Sequence, residues 1–400
     1  METLDYDVII AGGGLAGLLS AREAASKGLC VAVLEEDLEI GVPERCDGLV
    51  SMKALMELGV IPSSRAVQNT VKRVLIYPPN GKPLEADISK QNIIVLHRSI
   101  FDKELAKTAL SRGAELYLGE RVYQAVEKEG YVEVKTKQTF NSKVYIDARG
   151  TTALPPEKQN SLLPAARYDI EAEWINQDTV EIYLDNLRYP GFFLWVIPTS
   201  RDTAKLGVAG RSINCFSTLD EFLKRRGGYP TKKVSAPIYV GGPVEKFVNG
   251  RIMLVGDSAG QTKPSTGGGI YLGGLGGVLS GQAAAAYILD GEEEALQRYS
   301  QRWLSLLEDD IRTTLYARRL FEKLDNKSLE KIFNLLRKKE VLNSIFEEGD
   351  FDRHSKSIRQ LLGVEGIVKL FSIIASNEVK ALFKQIEGLL NKKGRTIDGS

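Results

Sequence analysis

Cysteine and histidine are scarce in this chain of 400 residues, which carries Cys30, Cys46 and Cys215 and only His97 and His354. The cysteines have neither paired nor metal-like spacing, so a disulfide framework, a zinc site or a cysteine-ligated iron–sulfur cluster is not expected. Two histidines cannot supply a histidine-rich metal site, and no metal is expected. A charge imbalance is missing too: 53 Lys and Arg face 52 Asp and Glu, and the net charge of +1 gives nucleic acid no hold. Asp5 and Asp7 interrupt the start, which reads as a short strand rather than a signal peptide. Long uncharged runs are rare, with one exception at Thr266–Leu289. That run is long enough to cross a bilayer at ~1.5 Å per residue, but eight of its residues are glycine. Gly269, Gly273, Gly277 and Gly281 fall on one helical face, the pattern of a buried helix pressed against a sheet or a cofactor.

What is abundant is glycine, 38 residues in all. Asp7–Ala11 reads as a buried strand, Gly12–Gly17 as a turn into a helix reaching about Lys27, and Leu29–Glu35 as a second strand. Helices are expected over Ser51–Leu58 and Ser99–Arg112, and strands at Val71–Tyr77, Asn92–Leu96, Glu115–Leu118, Val122–Glu127, Tyr131–Thr136 and Lys143–Asp147. From Arg167 to Gly210 the pattern is β-rich without the helices that parallel strands require. Arg251–Gly256 returns as an apolar strand, and beyond residue 291 the pattern is helical. The stripes Leu329–Ile332–Phe333–Leu336, Ile367–Leu370–Phe371–Ile374 and Val379–Leu382–Phe383–Ile386 suit a helical bundle, a lid or a membrane-contacting surface. The tail after Asn391 reads as frayed.

Gly12-Gly13-Gly14-Leu15-Ala16-Gly17 fits G-x-G-x-x-G between a strand and a helix, with Glu35 at the tip of the next strand. Gly12 permits the tight turn, Gly14 a close approach of backbone to pyrophosphate, and Gly17 close helix–strand packing. The helix N-terminus offers N–H groups to phosphate, and Glu35 can accept hydrogen bonds from ribose hydroxyls. This Rossmann-type fingerprint does not separate NAD from FAD. Two later strand ends do: Ile146-Asp147-Ala148-Arg149-Gly150, and Gly256-Asp257-Ser258-Ala259-Gly260 followed by Pro264 and Gly267-Gly268-Gly269. Asp257 suits flavin ribityl hydroxyls, and the glycine helix can aim its N-terminus at the pyrimidine edge of a flavin.

With His97-Arg98-x-x-Phe101-Asp102, these signals resemble the geranylgeranyl reductase family, within the flavoprotein superfamily of p-hydroxybenzoate hydroxylase. The resemblance runs from about residue 5 to 290. Pro43-Glu44-Arg45-Cys46-Asp47-Gly48 is similar to the family's P-x-R-C-x-G loop, and Lys263–Ile270 to its P-x-x-G-G-G-I stretch. Phe193-x-Trp195-x-Ile197-Pro198, with Gly207 and Gly210 beyond, resembles its Y-x-W-x-F-P…G-x-G substrate segment. Arg149 stands where the superfamily has aspartate. Phe193 and Ile197 also bring the segment near the W-x-W-x-I-P of flavin-dependent halogenases.

The resemblance implies an α/β fold: a Rossmann-type FAD-binding domain (1–165 with 245–290), an inserted antiparallel β substrate domain (166–244) and a C-terminal helical region (291–400). It implies FAD as cofactor, held by Ala16, Glu35, Arg45, Cys46, Gly48, Arg98, Val122, Asp257, Gly269 and Ile270, with Gly12, Gly14, Gly17, Gly150 and Gly268 from the glycine turns. Phe193, Trp195, Pro198 and Gly207 would touch substrate, although the two aromatics equally suit a sheet core. Cys46 is the catalytic candidate, relaying a proton or shaping the contact with the alkene; it also suits a plain buried position. The implied reaction is hydride transfer from reduced flavin to the C=C bonds of an isoprenoid lipid. NADPH, ferredoxin or another reductant would supply electrons, in a cytoplasmic protein peripheral to the membrane. A flavin monooxygenase or halogenase and a non-catalytic prenyl-binding protein stay open as alternatives.

Overall fold

The computed structural model describes residues 4–339, 345–346 and 348–363. Its helices are α1 (Leu15–Ala25), α2 (Met52–Glu57), α3 (Arg98–Ser111), α4 (Cys215–Arg226), α5 (Ile270–Leu289), α6 (Ala295–Glu322), α7 (Asn326–Lys339) and α8 (Ser355–Gly363). Two large sheets, of eight and seven strands, organise the described residues into an α/β fold with an added β layer.

The first sheet has Leu4–Ala11 at its centre, parallel to Val31–Glu35 on one side and Thr139–Asp147 on the other; Ile252–Leu254 continues the parallel order beyond Thr139–Asp147. Val8, Ile9, Ile10 and Ala11 are all buried, because strands covered on both faces cannot alternate. α1 and α5 cover one face. They meet at glycine: a Cβ on Gly277 would lie 2.4 Å from the carbonyl oxygen of Ala16, and one on Gly281 2.4 Å from that of Ser20. The run long enough to cross a membrane is therefore a core helix in this fold, sealed to α1 by the Ser20–Ser280 hydroxyl pair at 2.8 Å.

The second sheet has seven strands in the order Tyr229–Ser235, Ala165–Glu171, Thr203–Ala209, Leu194–Pro198, Thr179–Tyr183, Arg73–Tyr77, Leu84–Asp87. All neighbours are antiparallel except Thr179–Tyr183 with Arg73–Tyr77. The hairpin at 73–87 thus comes from outside the 166–244 segment read as the β insertion. The strand read at Val71–Tyr77 is two, broken at Lys72, and Val67–Val71 pairs with Ile93–Leu96 in a small sheet instead. Period-two alternation fixes which face a residue takes, not which sheet its strand joins. α4 covers the back of the second sheet with Leu219, Phe222 and Leu223. It went unrecognised in a segment read as β, although Asn214 caps it by accepting from the Ser217 N–H.

α6 lays Tyr299, Trp303, Leu307 and Ile311 into the core, with Trp303 Nε1 donating to the Leu272 carbonyl at 3.0 Å. The Leu329–Leu336 stripe of α7 is buried with Leu84, Leu320, Ile345 and Leu362, so it is core rather than an exposed surface. The stripes at 367–374 and 379–386 and the tail after Asn391 lie outside the described residues.

Candidate functional site

The glycine turn closes on the strand ends of the first sheet. Gly12 has φ +107°, and a Cβ there would lie 2.4 Å from the Ala148 carbonyl oxygen, so only glycine fits. Gly17 is equally tight, 2.0 Å from the Gly12 carbonyl oxygen by the same construction, whereas a Cβ on Gly14 meets nothing within 4 Å. That open space lies before the N-terminus of α1, whose Ncap Gly14 provides no side-chain cap. The free N–H groups and positive end of the helix are left for an anion. Glu35 sits at the strand tip, its carboxylate accepting from the Gly13 N–H at 2.5 Å and the Asp37 N–H at 2.9 Å. Two of its acceptor positions are used and two remain.

The other glycine turns converge on the same place. Gly256 packs against Ala16, and Gly269, the Ncap of α5, against the Asp257 carboxyl. α5 also has no side-chain cap, so a second helix N-terminus opens here. The Ser258 hydroxyl is buried without a partner. Arg149 forms a fork with Asp147 (Nε to Oδ1 3.0 Å, Nη2 to Oδ2 2.6 Å) and donates to the Val122 carbonyl at 3.0 Å. The arginine that departs from the superfamily pattern thus joins the end of Thr139–Asp147 to the loop of Val122. Val122 enters through its backbone, and Gly150 follows with φ +70°.

Arg98 opens α3 and grips Asp102 in a bidentate pair at 2.9 and 3.0 Å. Burial opposes its charge, but Asp102 and then Cys46 outweigh that and keep its pKa above the ordinary value. Cys46 therefore lies against a permanent cation. Asp257 lies within the field of the same guanidinium; burial pushes its carboxyl up to about 6, and Arg98 pulls the other way. Gly48, with φ +81°, lets the Cys46 loop pass over the Leu96 carbonyl. Arg45 is the outlier, an exposed side chain 3.8 Å from Asp37.

Phe193, Trp195, Pro198 and Gly207 belong to the second sheet. Trp195 is buried and donates through Nε1 to Asp47 Oδ2 at 2.7 Å; its ring lies where a Gly207 Cβ would sit, 2.3 Å away. Phe193 stacks on Phe192 at 4.2 Å, and the Pro198 carbonyl accepts from Asn69 Nδ2 at 2.9 Å. These residues pack the sheet, and Trp195 ties it to the loop of Cys46. Arg167 and Lys205 also reach this loop, where they meet Glu44 and Asp47, and neither cation is singled out by the sequence. The available signal was a cation inside each apolar strand, Ala165–Glu171 and Thr203–Ala209.

Residues 7–156 match the model of the FAD-dependent oxidoreductase family. An uncharacterized protein of Methanocaldococcus jannaschii is 30% identical over 91% of this chain and 97% of its own length. Digeranylgeranylglycerophospholipid reductase 1 of Methanopyrus kandleri is 30% identical over 86% of this chain and 96% of its own. The chain belongs to the digeranylgeranylglycerophospholipid reductase family. A geranylgeranyl bacteriochlorophyll reductase-like protein of Thermoplasma acidophilum shares the fold, with a TM-score of 0.82 and 23% identity over 97% of this chain and all of that one.

This family member is an FAD-dependent oxidoreductase. Its residues fit the cofactor: the space before Gly14 admits a pyrophosphate, and the orphaned Ser258 hydroxyl and raised Asp257 carboxyl are polar groups lacking a partner of the ribityl kind. FAD held there would supply two-electron, hydride-type reducing chemistry. The chain's part is to hold and orient that cofactor. Arg98 fixes the start of α3 through its fork with Asp102, and Asp102 and then Cys46 favour its charge.

Proposed function

We propose that this enzyme hydrogenates the C=C bonds of geranylgeranyl chains on a membrane glycerolipid. Each bond takes a hydride on one carbon and a proton on the other, which closes the balance as one H₂ per double bond. The Cys46 thiol gives the proton, Arg98 stabilises the thiolate, and solvent reprotonates it. A trisubstituted alkene is a weak electrophile, so an acid within reach of the developing cation matters more here than for an activated alkene. The observation that carries the proposal is the Arg98 guanidinium, whose charge is favoured by Cys46 and which in turn acts on Asp257, in a chain of this family. NADPH, ferredoxin or another small reductant supplies the electrons. The substrate lives in a bilayer, so the enzyme works at the cytoplasmic membrane surface.

The test is anaerobic. The protein is reduced with dithionite and mixed with a geranylgeranylated glycerolipid, and flavin reoxidation is followed with product mass. Reoxidation with a gain of one H₂ per double bond is expected, and Cys46→Ala should slow it at least a hundredfold while keeping FAD. Reoxidation that waits for air would replace this proposal with oxygen chemistry.

A further inference from the structure

The second sheet presents one face to the Cys46 loop, and that face contains two buried cations. Arg167, Gly207 and Trp195 are aligned across three neighbouring strands, and Asp169, Lys205 and Ile197 form the adjacent row two residues along. Gly207 has no side chain, which leaves room for the Trp195 indole to lie across it. From the first row, Arg167 Nη1 donates to the Cys46 carbonyl at 3.0 Å and Nη2 to the Glu44 carbonyl at 3.1 Å, while the indole holds the Asp47 carboxylate. From the second row, Lys205 Nζ donates to the Asp47 carbonyl at 3.0 Å and to Glu44 Oε1 at 2.7 Å. The backbone carbonyls of residues 44, 46 and 47 are thus all held by cations of the sheet.

Such charges are costly. Arg167 and Lys205 are 4% and 3% exposed, and their neighbours Trp195, Ile197 and Ala209 are apolar. A buried ion pair rarely outperforms packed apolar residues in stability, and its best-attested use is to fix a register. Here the pairs are Arg167 with Asp47 (3.3 Å) and Asp169 (3.1 Å), and Lys205 with Glu44. Burial raises the Glu44 carboxyl, but Lys205, Arg167 and His97 together hold it below the ordinary range. Lys205 Nζ also reaches the Leu96 carbonyl at 3.4 Å, while Arg167 Nε is buried without a hydrogen-bond partner, facing Asp169 only as an ion pair. Arg98 acts on Cys46 from α3, so the residue is set by two elements independently.

We propose that Arg167, supported by Lys205 and Trp195, is a positioning residue: it fixes the Glu44–Asp47 backbone so that the Cys46 side chain stands at the reacting alkene. The inference rests on the reductase assignment for its chemical consequence, but not for the loop itself. It also couples the β layer to the flavin side: a ligand that shifts the Arg167–Gly207–Trp195 row shifts Cys46 with it.

The test uses the FAD-loaded enzyme and two readouts. Arg167→Met should speed amide exchange of residues 42–48 at least tenfold while exchange at residues 12–17 stays at the wild-type rate. It should retain FAD and accept electrons from dithionite normally. Lipid-driven reoxidation should fall at least tenfold, with the half-saturating lipid concentration within about threefold of wild type. Arg167→Lys, which keeps the charge and one of the two carbonyl bonds, should recover most of both losses. If the Met variant does not fold, Trp195→Phe decides, with a loop exchange at least threefold faster expected. Wild-type loop exchange in a folded variant overturns the proposal, as does a loosened loop with undiminished reoxidation. If even the wild type fails to react with lipid, the substrate assignment falls, while the exchange data still decide whether Arg167 holds the loop.

Discussion

Gly14 and Gly17 occupy equivalent-looking positions in one motif, yet the space around them differs completely. A methyl at position 17 collides with the Gly12 carbonyl oxygen, while one at position 14 enters open space. Gly17→Ala should therefore destabilise the apoprotein by about 1–3 kcal/mol, the usual cost of overpacking. Gly14→Ala should change apoprotein stability by less than about 1 kcal/mol, a helix-cap effect, yet weaken FAD binding at least tenfold. Thermal melts of the two apoproteins beside FAD titrations separate these outcomes. Asp257 offers a second test at this scale. Its carboxyl, pushed up to about 6 by burial, is neutral in the apoprotein at lower pH and ionised above. Only the ionised form is a full acceptor for ribityl hydroxyls, so FAD affinity should rise as pH climbs through about 6. The apoprotein should show the opposite sign: a carboxyl raised above its unfolded value loses its contribution to stability as pH rises through the same range. Titrations at pH 5, 6 and 7 should show both slopes in the wild type, and neither in Asp257→Asn.

Single elements were legible wherever one short segment carries its own physical requirement. The strand–glycine–helix start and the glycine helix were readable, because close backbone approach admits no other residue. The same holds for the turns at Gly150 and Gly256, where φ is positive. What was not legible depends on partners distant in sequence. Nothing in Arg73–Tyr77 says that it pairs with Thr179–Tyr183, and nothing in Trp195 says that its indole will reach Asp47, 148 residues away. The motif Phe193-x-Trp195-x-Ile197-Pro198 with Gly207 suits a substrate-lining segment and a sheet core equally, and a flat indole over glycine is one form of the second. Gly207→Ala tests that packing directly. The added methyl would sit 2.3 Å from the ring, and the indole cannot shift without releasing Asp47. A loss of about 2–3 kcal/mol is expected by chemical denaturation, with faster amide exchange at residues 42–48 as its local signature. A loss of stability without the change in exchange would mean that the sheet yields and the loop does not follow.

At the scale of the whole molecule, the two sheets and the helical region are joined by the segment around residues 350–355, which lies across the Lys263–Gly269 turn. Lys263 Nζ donates to the Phe351 carbonyl at 2.9 Å, Asp352 Oδ2 accepts from the Ser51 N–H at 3.2 Å, and Asp310 Oδ1 accepts from the Ser355 N–H at 2.7 Å. Phe346 and Phe351 pack against the cluster that contains Trp195 and Ile197. His354 sits within this contact, its Nδ1 2.8 Å from the Ser265 hydroxyl and its Nε2 2.8 Å from the Phe351 carbonyl. Those partners fit the neutral ring: Nε2 must donate to a carbonyl, which leaves Nδ1 to accept from the hydroxyl. Burial, reinforced by the Lys263 charge, pushes its pKa down to about 3. A base depressed below its unfolded value of about 6.5 contributes stability that is complete above pH 6.5 and drains away as pH falls toward 3. The docked segment should therefore open more often in mild acid. Asp350 is held below its usual range and Arg353 above its own, so neither titrates in mild acid, but burial raises the Asp310 carboxyl toward that range. The comparison belongs between pH 5 and 6.5, against His354→Gln, whose amide can replace both hydrogen bonds without titrating. Amide exchange at residues 348–358, corrected for its intrinsic pH dependence, should accelerate by up to tenfold per pH unit in the wild type and stay flat in the variant. Equal slopes in the two proteins would assign the opening to Asp310 instead, and Asp310→Asn would then be the variant that removes it.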